Sequence, residues 1–99
     1  MNERKERFTT GPWQYANYTD FLEIQNTDPV NPKEIAYIDG WTDEQEAKAN
    51  AALIAAAPEM YARLEQVAED FEALGLTSNR DSVLRLLAKC RGENTNDKP

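Results

Sequence analysis

The chain is 99 residues long, 40% hydrophobic and 29% charged, with 18 acids against 11 bases, no histidine and a single cysteine. A chain of this length suits one domain with one modest core, burying roughly 60–70% of its unfolded surface. The lone Cys90 excludes an internal disulfide and a thiolate metal cluster, and the missing histidine removes the commonest general base, metal ligand and pH switch.

In chain order, residues 1–9 are polar without an apolar period, and a flexible tail is expected there. The charged run from Met1 to Arg7 is not followed by an apolar stretch, so it does not read as a secretory signal. Nowhere do about 18 apolar residues run together. A soluble cytoplasmic protein without membrane contact follows as the expectation. Thr10-Gly11-Pro12 is turn-like and sets the chain direction ahead of Trp13.

Three strands are predicted. Trp13–Tyr18 puts Trp13 and Tyr15 on one face, Phe21–Gln25 puts Leu22 and Ile24 on one face, and in Glu34–Ile38 the pair Ile35 and Tyr37 opposes Ala36 and Ile38. Aromatic and β-branched residues bounded by turn formers favour pleated structure. Pro29 and Pro32 keep the second connection out of any strand interior. Short links between neighbours give an antiparallel meander.

Beyond Asp39-Gly40-Trp41 the period changes to that of helices. Thr42 with Gln45 reads as a capping box, and Asp43, Glu44 and Glu46 place negative charge at the positive end of the helix dipole. The inner arc of this first helix is Ala47, Asn50, Ala51, Leu53, Ile54 and Ala57. Pro58 suits only a first turn, so the helix breaks near Ala56–Ala57 and a second begins there. Met60, Leu64, Val67, Phe71 and Leu74 then form an apolar seam ending at Gly75, while Glu65, Glu69 and Glu72 line the opposite side. Ser78 is the expected cap of a third helix over 79–91, with Val83, Leu86, Leu87 and Cys90 inward, Arg85 and Lys89 outward, and Gly92 as its stop. Cys90 is accordingly read as a small buried hydrophobe. A disordered tail is expected over 93–99. The fold class is α+β: one domain over 10–92 with a three-stranded antiparallel meander followed by three helices.

Chemistry is tested by what is missing. Serine, threonine and Cys90 lack a histidine base, the glycines are scattered, no twelve-residue calcium loop occurs, and paired acids such as Asp43 with Glu46 read as dipole complements. No catalytic, cofactor or metal residue is assigned, and the chain is expected not to be an enzyme. Residues 20–72 carry a net −10, residues 73–99 a net +2 and the first 19 a net +1. That segregation disfavours duplex DNA and favours basic partners. The aromatics Trp13, Tyr15, Tyr18, Phe21, Tyr37 and Trp41 cluster in the strand region, with Lys33 the only base among Asp20, Glu23, Asp28, Glu34 and Asp39. Single-stranded nucleic acid binding, which needs interleaved bases, is rejected.

Two segments resemble a known group. Thr10-Gly11-Pro12-Trp13, followed by the run from Glu46 through Ala57-Pro58-Glu59-Met60, is similar to small phage and prophage proteins that include relatives of the Ead-like early accessory proteins of lambdoid phages. Their pattern is TPGPW, a variable β region, then EANARLIAAAPELLEAL, and the likeness covers residues 9–74. Met60-Tyr61 stands where that pattern has paired leucines, and the third helix lies outside it. The resemblance implies a phage accessory protein in the host cytoplasm, encoded among early genes where inhibitors of bacterial defence, anti-CRISPR proteins included, are found. The expected function is an anti-CRISPR-like inhibitor that occupies a basic nucleic-acid-binding surface of a host or defence-system protein such as a CRISPR–Cas subunit, without touching nucleic acid itself. The alternative is a homodimeric accessory or regulatory protein joined through the 60–74 seam. Candidate partner-binding residues are Glu65, Glu69, Glu72, Asp43, Glu44, Trp13, Trp41, Arg85 and Lys89.

Overall fold

Alternation decides the first half of the chain. In a computed structural model that describes residues 7–93, three strands form, β1 (Trp13–Asn17), β2 (Phe21–Asn26) and β3 (Glu34–Asp39), followed by α1 (Glu44–Ala55), α2 (Ala57–Ala73) and α3 (Thr77–Cys90). The sheet order is β1-β2-β3 with both pairings antiparallel, so the expected meander and the α+β class are present. Of the expected tails, residues 1–6 and 94–99 lie outside the described residues.

The described chain gathers into two compact units, Thr9–Glu59 and a second made of Phe8 with the chain from Met60 onward. Each has its own hydrophobic cluster, where composition had led to one core. In Thr9–Glu59, Leu22 and Ile24 are wholly buried against Ala47 and Ala51 of α1, with Trp13, Ile35, Ala36, Ile38, Trp41 and Ile54 around them. The alanines leave α1 no bulk on that side, which lets the helix lie close to the sheet. Leu22 faces Ile38 and Ile24 faces Ala36 across the ladder, so one face of β2 and β3 is apolar. A register shift at Ile24/Gln25 sets one extra residue, Ile35, in β3. Such a bulge turns its side chain out of strict alternation, which explains how Ile35 joins the cluster beside Ala36 and Ile38. Leu53, placed by the period on the inner arc, is instead exposed.

The link between β2 and β3 closes on itself. Asp28 Oδ1 accepts from the amides of Val30 and Asn31, and Asn26 exchanges bonds with Lys33 through its side chain and its amide. The two segments that carried the resemblance also meet here. A Cβ at Gly11 would stand 2.7 Å from Pro58 Cβ, so glycine at 11 and proline at 58 are parts of one contact. Trp13 Nε1 donates to the Thr9 carbonyl at 3.1 Å.

Helix ends correct two expectations. The cap of α1 is Asp43, not Thr42: its carboxylate accepts from the amides of Gln45 and Glu46 at 3.0 and 3.2 Å. The first helical residue is Glu44, one later than the capping box implied, and aspartate outranks threonine at that position. Ser78 is not the cap of α3 either. Leu76 occupies the cap position without a side-chain bond. The reason lies upstream: Gly75 at φ 77° lets its own amide reach the Glu72 carbonyl and that of Leu76 reach the Phe71 carbonyl, the paired bonds of a Schellman close. Leu76 O then accepts the first bond of α3 from Arg80, so the two helices share one tight corner. The same close ends α3, with Gly92 bonding Lys89 and Glu93 bonding Ala88.

In the second unit, Tyr61, Ala68 and Leu87 are buried, with Phe8, Leu64 and Val83 packed on them. Phe8 meets Tyr61 edge-on at 5.0 Å. The middle of the expected α2 seam, Leu64, Val67 and Phe71, is half-buried, but its ends are not: Met60 and Leu74 are 42% and 71% exposed. Two helices cover only a narrow stripe of each other. That stripe centres on Tyr61, whose hydroxyl accepts from Arg91 at 2.9 Å, and on Ala68, whose small side chain admits a close neighbour. For the same reason Leu86 and Cys90 of the expected α3 arc are exposed, and Cys90 is not the buried hydrophobe its position suggested.

Candidate functional site

The acidic stripe of α2 does exist as one surface. Glu65, Glu69 and Glu72 line an open groove of about 420 Å³ whose floor is Ala68, Leu84 and Leu87. Its other wall is basic. Arg80 approaches Glu72 at 3.9 Å and pairs with Asp81 at 2.8 Å, and Arg91 pairs with Glu93 at 2.7 Å. The hydrogen bond to Asp81 holds Arg80 above the ordinary guanidinium range, and those to Glu93 and Tyr61 do the same for Arg91. Both bases therefore stay charged, and the groove has mixed sign.

The remaining sequence-derived candidates are scattered. Asp43 is engaged as the α1 cap, and Glu44 pairs with Lys48 one turn on at 3.2 Å. Trp13 and Trp41 are half-buried against the Leu22–Ile24 cluster, which makes them packing residues of the sheet unit. Arg85 and Lys89 lie on the outer side of α3, as their helical positions implied; Arg85 borders a shallow surface with Asp81, Leu84 and Ala88. Of the candidates, the three glutamates are the ones that line a common groove.

A second surface gathers part of the aromatic cluster that the sequence places in the strand region. On the side of the sheet opposite Leu22 and Ile24, Tyr18 stacks on Phe21 at 4.8 Å, and Phe21 meets Tyr37 edge-on at 5.3 Å. Glu23 stands opposite Tyr37 and Asp39 opposite Phe21 in the β2–β3 register. A recess of about 340 Å³ is lined by Asp20, Phe21, Tyr37 and Asp39. The Tyr37 hydroxyl bonds to Glu34, and that bond, with the charges of Glu34 and Glu23 nearby, pushes its pKa up to about 12. The signal in the sequence was the offset of Phe21 and Glu23 from Leu22 and Ile24, which sends rings and acids to one face and aliphatics to the other.

Among the described residues no group of three or more metal-ligating side chains is arranged to hold an ion, and no helix is long and apolar enough to cross a membrane. No curated protein and no solved structure matches the chain. A family model for Salmonella phage P22 protein Y8K6 matches residues 1–94, and the chain therefore belongs to that family of small phage accessory proteins.

Proposed function

We propose that this phage accessory protein works without catalysis, by binding a basic surface of a host protein, and that it thereby inhibits a bacterial defence complex such as a CRISPR–Cas effector. Kinship with the Ead-like accessory proteins belongs to this reading and rests on the Gly11-Pro12-Trp13 and Glu46–Met60 segments. The observation that carries the proposal is the location of the charge. Thr9–Glu59 holds nine acids against Lys33 and Lys48, a net −7, while the rest of the chain holds nine acids and nine bases. The whole excess therefore sits on the sheet unit, where it creates a field that draws a basic surface and repels nucleic acid. A protein that covers a nucleic-acid-binding groove needs this complementarity and needs no reactive group.

The test is phage plating on hosts that carry an active CRISPR–Cas system and a matching spacer, with and without the protein expressed. Restored plating is the expected result. Unchanged plating across hosts with different defence systems would overturn the inhibitor reading.

One observation favours the homodimer as a second reading. Met60, Leu74 and Leu86 remain exposed, although Met60 and Leu74 share the 3–4 spacing of Leu64, Val67 and Phe71. A second copy of α2 and α3 would cover them in a four-helix arrangement. Sedimentation at micromolar concentration decides it: a dimer supports this reading and a monomer removes it.

A further inference from the structure

The outer face of the sheet combines two features, exposed rings and carboxylates. It is aromatic, with Tyr18 46% and Tyr37 55% exposed beside the half-buried Phe21. It is also ringed by carboxylates, with Asp20 and Asp39 lining the same recess as the rings and Glu23 and Glu34 beside Tyr37. Lys33 is the one base between Trp13 and Ala47. Within Thr9–Glu59, α1 covers the opposite face, where Leu22 and Ile24 meet Ala47 and Ala51.

We propose that this face, centred on the recess between Asp20, Phe21, Tyr37 and Asp39, is a docking surface for an arginine side chain carried on a basic segment of a partner protein. The chemistry selects arginine. A guanidinium is planar and weakly hydrated, stacks on aromatic rings and pairs with carboxylates through its fork of donors. Here the rings of Phe21 and Tyr37 supply the surface, and Asp20 and Asp39 of the same lining supply acceptors. An ammonium gains the charge attraction but less of the stacking. A divalent cation finds too few converging ligands among the described residues. The recess is also placed where the unit's charge is concentrated, so long-range attraction and short-range fit act on the same partner. This inference rests on the reading of the protein as a binder of basic surfaces and names the surface that does the binding.

The test is a titration of the isotope-labelled full chain with a hexa-arginine peptide, followed by amide chemical shifts, with hexa-lysine as the charge-matched control. Saturable shifts at Asp20, Phe21, Tyr37 and Asp39 are expected, with the arginine peptide bound about three-fold or more tightly than the lysine peptide. Tyr37→Ala and the isosteric Asp39→Asn should each weaken arginine binding by about three-fold. The triple variant Glu65→Gln, Glu69→Gln, Glu72→Gln should leave it unchanged. Equal affinity for the two peptides, or shifts centred on α2, would overturn the proposal. Asp39→Asn keeps it testable should Tyr37→Ala fail to fold. Relief of defence in the plating assay without arginine-peptide binding would overturn this surface alone. Arginine-peptide binding without relief of any defence would overturn the inhibitor reading alone.

Discussion

At the scale of the residue, Gly11 and Tyr37 are held by different means, one by close packing and one by a hydrogen bond. Gly11 stands so close to Pro58 that an added methyl group meets the ring at 2.7 Å. Gly11→Ala is therefore expected to lower stability by about 1–3 kcal/mol, the range for forcing extra volume into packed structure. Thermal melting of the variant checks it, and an unchanged midpoint would contradict the contact. Tyr37 is held by a hydrogen bond that exists only while its hydroxyl keeps its proton. Its folded pKa, about 12, lies above the ordinary 10, so folding favours the neutral form. The stabilising effect is fully present below pH 10 and is lost as the pH rises through 12. Ultraviolet titration of the phenolate should show this tyrosine ionising above the ordinary 10, and Glu34→Gln should bring it back toward that value.

Among the elements, the helices depend on their ends more than on their faces. Asp43 satisfies two amides of α1 at once, so Asp43→Ala is expected to destabilise the protein by about 0.5–2 kcal/mol, whereas Thr42→Ala should have little effect. Chemical denaturation of the two variants separates the caps directly. The sheet depends on alternation, which was legible in Leu22 and Ile24 and correctly gave the buried face. The bulge at Ile35 was not legible, because register is settled between strands and leaves no mark within one of them. The α2 seam shows the same limit. Its 3–4 spacing marked which residues are apolar, but the side that α3 covers follows from the corner at Gly75 and the small side chain of Ala68.

For the whole molecule, charge distribution matters more than net charge. With nine acids against two bases in 51 residues, Thr9–Glu59 repels itself, and added salt should screen that repulsion. Raising the ionic strength from about 0.01 M to 0.3 M shortens the screening length from about 30 Å to under 10 Å and is expected to raise the melting temperature. A fall in melting temperature would mean that attractive pairs dominate. The stripe Glu65, Glu69 and Glu72 adds little to this field, because Arg80 and Arg91 line the same groove.

Local signals determined the elements of this protein. Proline, glycine and alternation placed three strands and three helices in order, and the absence of histidine with a lone cysteine narrowed its chemistry, because these depend on residues close together in the chain. Tertiary structure decided which of those residues face one another. It turned Trp13 and Trp41 inward, set Arg80 and Arg91 against the glutamates, brought Gly11 onto Pro58, and gathered Asp20, Phe21, Tyr37 and Asp39 into one recess. Those meetings depend on strand register, on helix rotation and on how narrow a stripe two helices can cover, and all three are set between elements.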